Sequence, residues 1–223
     1  VFTHSSNVGA GMLALQAGAD RFGSFLKRLG LTDPLTTEIG PAGLPQLPQR
    51  MERVELITMS YGHGIAISPL QFATAAASIL NGGKKITPTF LRYRVDDGKP
   101  VTVTSEMTSR EIARLFRLNV LDPSGTGKRA EVPGYRVGGK TGTADRASNG
   151  RYKEKAVLSS FLGAFPMDDP HYVTYVVLFE PQASPETNNQ RTASMNAAPV
   201  TGRIIRRIAP QLGVVPLMTT MTQ

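Results

Sequence analysis

Residues 134–144 read GYRVGGKTGTA, a short stretch that mixes β-branched and aromatic residues with glycines. This composition predicts a β-strand over 135–144. Two similar stretches follow at 157–165 and 172–180, each bounded by Gly, Pro or Asp. Because short links most often join antiparallel neighbours, the three stretches predict an antiparallel meander.

Helical patterns precede these strands. Apolar side chains at three- and four-residue spacing predict helices at 8–18 and 20–29. A third helix is predicted at 68–83, because Ser68 is a good N-cap, Pro69 suits the first helical position and two glycines follow the apolar body.

The remaining chain alternates between irregular and helical patterns. Four prolines within 31–49 predict a surface loop. Thr108 and Glu111 are spaced as a capping box for a helix that ends near Leu121, and a last helix is predicted at 198–212. Helices, then a meander, then a helix predict an α+β fold with helices packed on an antiparallel sheet.

Composition limits the function classes. The 223 residues fit one domain, 1–223. The chain has no cysteine, and its three histidines lack ligand spacing, so we expect no metal site. The net charge of +8 favours anionic partners, but the charges are scattered. We therefore expect no nucleic-acid partner.

The hydropathy pattern and the N-terminus indicate whether the sequence contains a membrane span or a signal peptide. No apolar run approaches the roughly 18 residues of a membrane span. The chain begins at Val1, without an initiator methionine or a signal peptide. We expect it to begin inside a longer protein, whose anchor lies upstream.

Two short motifs suggest acyl-transfer chemistry. Such an enzyme needs a nucleophile, a base, a proton relay and oxyanion donors. Ser5-Ser6-Asn7 gives the pattern S-x-N, and Lys140-Thr141-Gly142 gives K-T-G. These resemble the second and third of the motifs S-x-x-K, S-D-N and K-T-G, which occur in that order in penicillin-binding proteins and class A β-lactamases.

Four further stretches strengthen this likeness: SYGHG at 60–64, SPLQ at 68–71, GYR at 134–136 and GRY at 150–152. With the motifs, they make residues 1–210 resemble class B, division-type penicillin-binding proteins. The resemblance implies a serine β-lactamase/transpeptidase-like fold. It also implies DD-transpeptidase activity in peptidoglycan cross-linking, through a serine acyl-enzyme.

The resemblance assigns catalytic roles to three residues. Ser5 is expected to relay a proton to the leaving amine. Asn7 is expected to bind the substrate's backbone amide and to help position the active-site lysine. Lys140 is expected to supply positive charge.

The strand motif is expected to bind substrate. By resemblance, the Thr141 and Thr143 hydroxyls bind the terminal carboxylate of a D-alanyl-D-alanine peptide or a β-lactam. The Thr143 N–H is expected to form half of the oxyanion hole. Gly142 lets the strand approach substrate closely, because it has no Cβ.

The family also implies a setting for the protein. Its partners would be peptidoglycan stem peptides ending in D-Ala-D-Ala, β-lactam antibiotics and proteins of the division machinery. No cofactor is implied. The expected location is the periplasmic face of the bacterial inner membrane.

The nucleophile motif does not appear in its expected place. The only S-x-x-K runs from Ser24 to Lys27, after S-x-N rather than before it. Ser24 is therefore predicted to be a surface helix residue. We expect the true serine upstream of Val1, which makes the domain partial and incomplete at its N-terminus and the fragment inactive alone.

Two other functions compete with this interpretation. Residues 134–141, from Gly134 to Thr141, fit the P-loop pattern G-x-x-x-x-G-K-[ST] of nucleotide-binding proteins. A P-loop follows a buried strand and opens a helix, whereas the sequence after Thr141 is a poor helix start. A non-catalytic binding module is the second alternative.

Overall fold

The computed structural model describes residues 1–92, 101–148 and 151–217 of the chain, without the side chains of 145–148 and 151–156. The chain forms two compact units. The first comprises Val1 and Ser6–Ile112, and the second comprises Phe2–Ser5 and Ala113–Gln223.

The first unit is mainly helical. Its helices α1 to α4 span Asn7–Ala17, Ala19–Arg28, Arg53–Ser60 and Pro69–Leu80. The segment predicted as an irregular loop contains two paired two-residue strands, β1 at Thr36–Thr37 and β2 at Gly40–Pro41. Helix α3 was not predicted, because its eight residues bury only Leu56 and Met59 and show little periodicity.

The helix starts follow from their capping residues. The Ser68 hydroxyl accepts a hydrogen bond from the Gln71 N–H at 3.2 Å, as predicted for the N-cap of α4. The Gln71 side chain is buried, and its Nε2 donates to the Gly30 and Asp33 carbonyls, both at 2.7 Å. Helix α4 is therefore tied to the end of α2 by polar as well as apolar contacts.

Replacing Ser68 by alanine should lower the free energy of unfolding by about 1 kcal/mol, because the Gln71 N–H loses its partner. Urea denaturation of the variant measures this loss. Ser24→Ala is the matched control, since Ser24 is exposed within α2 and the change should stay within about 0.5 kcal/mol. An equal effect of the two substitutions would contradict the capping role.

The second unit contains the sheet. Strands β3 (Gly138–Ser148), β4 (Arg151–Phe165) and β5 (Tyr172–Phe179) form the antiparallel order β3-β4-β5. Helix α5 (Glu106–Leu121) leads from the first unit into the second, and α6 (Ala197–Ile208) packs on β4 and β5. The α+β fold and the meander are therefore confirmed.

The core of this unit joins the sheet to the helices. Val137, Phe161, Phe165 and Ile205 are fully buried in one apolar cluster. In the sheet register, Lys140 lies opposite Leu162 and Thr141 lies opposite Phe161. The well-packed centre of β4 thus supports the segment of β3 that carries the K-T-G motif.

Three predicted element boundaries were wrong. Strand β3 begins at Gly138 rather than 135, because Arg136 has a left-handed φ of 45°, which no strand residue adopts. The cap of α5 is Ser105, whose hydroxyl accepts from the Thr108 N–H at 3.1 Å. Helix α6 ends at Ile208 rather than at residue 212, so Pro210 lies beyond its end.

Two sequence-based expectations concern absences, and a third concerns a stretch that begins outside the described residues. Among the described residues, no group of His, Cys, Asp or Glu side chains could hold a metal ion. Within the same ranges, no helix has the length and apolar character to cross a membrane. The GRY stretch begins at Gly150, which lies outside the described residues.

Candidate active site

Lys140 is the centre of the candidate site. Its Nζ donates hydrogen bonds to the Ser5 hydroxyl and, at 3.1 Å, to the Thr141 carbonyl. The Nζ also lies 5.8 Å from the centre of the Phe2 ring, within the range of a cation–π contact. The motifs near residues 5 and 140, far apart in the sequence, therefore meet through these side chains.

Burial changes the acid–base behaviour of this lysine. Desolvation disfavours the charged ammonium and lowers the pKa of Lys140 from 10.5 to about 8. No carboxylate among the described residues is paired with its Nζ to counter the effect. Lys140 can therefore give up or regain a proton near neutral pH.

Ser5 occupies an unusual backbone conformation. Its φ is 50°, in the left-handed region that serine seldom adopts. The turn is closed by a hydrogen bond from the Ser5 N–H to the Phe2 carbonyl at 3.2 Å. This turn directs the Ser5 hydroxyl to Lys140, and such strain is common where function fixes the geometry.

The segment that carries Ser5 is attached to the rest of the second unit at three points. The Phe2 ring packs against the Phe116 ring in a tilted arrangement, with centroids 5.5 Å apart. The Thr126 N–H donates to the Thr3 carbonyl at 3.3 Å. His4 Nε2 and the Ser124 hydroxyl share a hydrogen bond of 3.1 Å.

The two threonines of the strand motif have different partners. The Thr141 hydroxyl donates to the Thr126 hydroxyl at 2.8 Å. The Thr143 hydroxyl oxygen accepts from the Ala193 N–H at 3.1 Å, so its own hydrogen is free to be donated. Between them, a Cβ on Gly142 would lie 2.6 Å from the Ser160 hydroxyl, so a side chain here would have to displace that hydroxyl.

The S-x-N motif divides between the two units. Ser6 is the N-cap of α1, and its hydroxyl accepts from the Gly9 N–H at 3.1 Å. Asn7 is the first residue of α1 and is exposed, and it belongs to the first unit, whereas Ser5 and Lys140 belong to the second. The role predicted for Asn7 stays a prediction.

Sequence reasoning missed three contributors to this site: Phe2, Thr126 and Asn119. Phe2 contacts Lys140, Thr126 accepts a hydrogen bond from Thr141, and Asn119 binds Thr126. The only signal was the run Ser124-Gly125-Thr126-Gly127, which reads as an ordinary turn after a helix.

The structure excludes a P-loop at residues 134–141. Lys140 and Thr141 lie within β3 rather than at the start of a helix, and the Lys140 side chain contacts Ser5. A phosphate-binding loop requires backbone N–H groups at a helix N-terminus. Ser24 is exposed in α2, as predicted.

Comparisons with known proteins agree with the likeness seen in the motifs. Residues 1–206 match the family described as "Penicillin binding protein transpeptidase domain". The chain is 39% identical to the "Probable peptidoglycan D,D-transpeptidase FtsI" of Caulobacter vibrioides, over 96% of its own length. It is 33% identical to the "Stage V sporulation protein D" of Bacillus subtilis, over 97% of its length.

Solved structures give the same result. The transpeptidase domain of Burkholderia pseudomallei penicillin-binding protein 3 superimposes with a TM-score of 0.83 at 32% identity, over 97% of this chain and 64% of that one. Penicillin-binding protein 3 from Mycobacterium tuberculosis, solved with aztreonam, gives a TM-score of 0.82 at 26% identity, over 98% of this chain and 52% of that one.

The match covers only part of the relatives. The chain spans 38% of the Caulobacter protein and 34% of the Bacillus protein. Within that part, the family match and the fold agree with the division-type motifs. The chain therefore belongs to the penicillin-binding protein transpeptidase domain family, in its class B, division-type branch.

Proposed function

We propose that this chain forms the substrate-binding part of a peptidoglycan D,D-transpeptidase that acts through a serine acyl-enzyme. The observation that carries the proposal is the hydrogen bond from Lys140 to Ser5. Two family motifs that are far apart in sequence supply the two partners. We further propose that the serine nucleophile lies in a part of the longer protein outside these 223 residues.

The direction of the hydrogen bond suits Ser5 for proton relay. Because the Lys140 ammonium donates to the Ser5 oxygen, the Ser5 hydroxyl hydrogen is free to point at a reacting group. When the nucleophilic serine passes its O–H proton to the base, its oxygen bonds to the acyl carbon and the C–N bond breaks, and Ser5 can give its own hydroxyl proton to the leaving nitrogen. Lys140 then returns a proton to Ser5, which a pKa of about 8 makes feasible near neutral pH.

The segment of β3 from Lys140 to Thr143 also suits the binding of a carboxylate. We propose that the carboxylate of D-Ala-D-Ala stem peptides, or of β-lactams, binds beside the Lys140 ammonium and accepts a hydrogen bond from Thr143. The free hydrogen of the Thr143 hydroxyl supports this assignment. The Thr141 hydroxyl would lie next to the bound carboxylate. Gly142 has no side chain, so the substrate can approach the backbone of β3, and the Thr143 N–H would donate to the oxyanion.

Relatives support the wider setting of the proposal. Solved structures of the Mycobacterium tuberculosis relative contain aztreonam or ampicillin. We propose that the intact protein works at the periplasmic face of the inner membrane with proteins of the division machinery. In the active site of that intact protein, Asn7 would contact the substrate's backbone amide.

Covalent labelling tests the proposal. The full-length protein should bind fluorescent penicillin irreversibly, and Ser24→Ala should label as fast as the wild type, because Ser24 is exposed in α2. If the full-length protein binds cell-wall peptides but never labels, the domain is a non-catalytic binding module and the proposed activity is wrong.

The binding of carboxylate ligands should depend on pH. Lys140 carries its charge below about pH 8 and loses it above. The affinity of the full-length protein for a carboxylate-bearing β-lactam, measured for the step before acylation, should therefore fall as the pH rises through about 8. Lys140→Met is the control and should flatten the profile, and an unchanged fall in that variant would assign the titration to another group.

A further inference from the structure

Asn119 is a fully buried polar residue on α5, beside the strand that carries the K-T-G motif. Its Nδ2 donates to the Gly139 carbonyl at 2.8 Å. Its Oδ1 accepts from the Thr126 N–H at 3.2 Å and from the Thr126 hydroxyl at 3.1 Å. A buried amide satisfied at both ends holds its partners in place, because breaking one bond leaves an unpaired polar group.

These partners fix the direction of a chain of hydrogen bonds. The Gly139 carbonyl can only accept and the Thr126 N–H can only donate, so the Asn119 amide has one orientation. Its Oδ1 therefore receives the Thr126 hydroxyl hydrogen. The Thr126 oxygen is left to accept from the Thr141 hydroxyl, at 2.8 Å.

Asn119 also fixes the loop formed by residues 122–127. The Asn119 carbonyl accepts from the Gly127 N–H at 3.2 Å. A Cβ on Gly125 would lie 2.2 Å from that carbonyl oxygen, and one on Gly127 would lie 2.8 Å from Asn119 Nδ2. The loop thus packs directly on the amide, with no room for side chains at the two glycines.

The loop in turn contacts the segment that carries Ser5. Thr126 donates its N–H to the Thr3 carbonyl, at 3.3 Å, as well as to Asn119. Ser124 pairs with His4 at 3.1 Å. One buried side chain is therefore linked both to the strand at Lys140 and to the turn at Ser5.

We propose that Asn119 is a positioning residue for the acyl-transfer site. It holds β3 at Gly139, directly before Lys140, and it holds the Thr141 hydroxyl and the Phe2–Ser5 segment through the loop at 122–127. The inference rests on the proposed transpeptidase function. Asn119 touches no reacting atom, so its effect must appear through the placement of Thr141, Lys140 and Ser5.

The test compares two reagents on the full-length protein: a penicillin and its methyl ester, which lacks the free carboxylate. Thr126→Val removes the hydroxyl link to Thr141 but keeps the backbone bonds of the loop. It releases the Thr141 hydrogen, which can then be donated to the penicillin carboxylate, so it should tighten penicillin binding about tenfold, the value of one hydrogen bond, and leave the reaction with the ester unchanged. Thr126→Ser keeps the hydroxyl and should bind penicillin with the wild-type affinity.

Asn119→Ala should slow acylation by both reagents by about a hundredfold, since small displacements of catalytic groups cost that much. Ile205→Ala is the matched control, because Ile205 is fully buried in the core and makes no polar contact with the site. It should lower the melting temperature without changing the rate measured well below that temperature.

Separate outcomes distinguish the inference from the function on which it rests. If Thr126→Val binds penicillin like the wild type, or its affinity for penicillin and for the ester changes equally, the positioning role is wrong even where Asn119→Ala fails to fold. If the wild-type protein is not acylated at all, both the proposed function and this inference are overturned.

Discussion

Replacing Ser5 by alanine in the full-length protein is expected to slow acylation by β-lactams by about 10²- to 10⁴-fold. The substitution removes the hydroxyl that accepts from Lys140 and that would pass a proton to the leaving nitrogen. Lys140→Ala should be at least as harmful, because it removes both the charge and the proton source. Stopped-flow measurement of the acylation rate constant gives the size of each effect.

The neighbouring serine provides a control for Ser5→Ala. Ser6 caps α1 through the Gly9 N–H, so Ser6→Ala should cost about 1 kcal/mol of stability and leave acylation near the wild-type rate. Wild-type reactivity of both Ser5→Ala and Lys140→Ala would mean that the contact between these residues is structural and that the site lies elsewhere.

Replacing Phe161 by alanine should lower the free energy of unfolding by about 3 to 5 kcal/mol. The ring is fully buried at the centre of β4, where it packs in the core formed by the sheet and α6. Its removal leaves a cavity next to the Gly139 backbone, where a Cβ would lie 2.5 Å from the ring. Chemical denaturation followed by circular dichroism measures the change.

Phe179→Ala is the matched control for this substitution. Phe179 lies in β5 of the same sheet but is 67% exposed, so its removal should change stability by no more than about 0.5 kcal/mol. A loss below about 1 kcal/mol for Phe161→Ala would show that the centre of the sheet tolerates the cavity.

The elements with strong local signals were predicted from sequence. Helix α4 carries its start signals in Ser68 and Pro69, and the three strands carry β-branched and aromatic residues between turn residues. Local propensity determines the secondary structure of these segments, so it could be predicted without knowledge of distant contacts. The antiparallel order then followed from the short connections.

Parts of the candidate site could not be predicted from the sequence, because the burial and the hydrogen bonds of these residues depend on distant residues. On α5, Leu118 is 44% exposed while its polar neighbour Asn119 is fully buried, the reverse of what hydropathy predicts. The burial of Asn119 is compensated by hydrogen bonds to Gly139 and Thr126, which sequence spacing does not reveal. Only the fold brings these groups together.

The left-handed turn at residue 5 has a consequence for resistance to inhibitors. In the proposed relay the proton is carried by the Ser5 hydroxyl, and the backbone φ of 50° disfavours the β-branched threonine as a replacement hydroxyl. Glycine and asparagine suit the backbone but bring no hydroxyl. Selection by a β-lactam that depends on Ser5 would therefore find no conservative exchange among these residues, since threonine gives up the conformation and glycine and asparagine give up the hydroxyl.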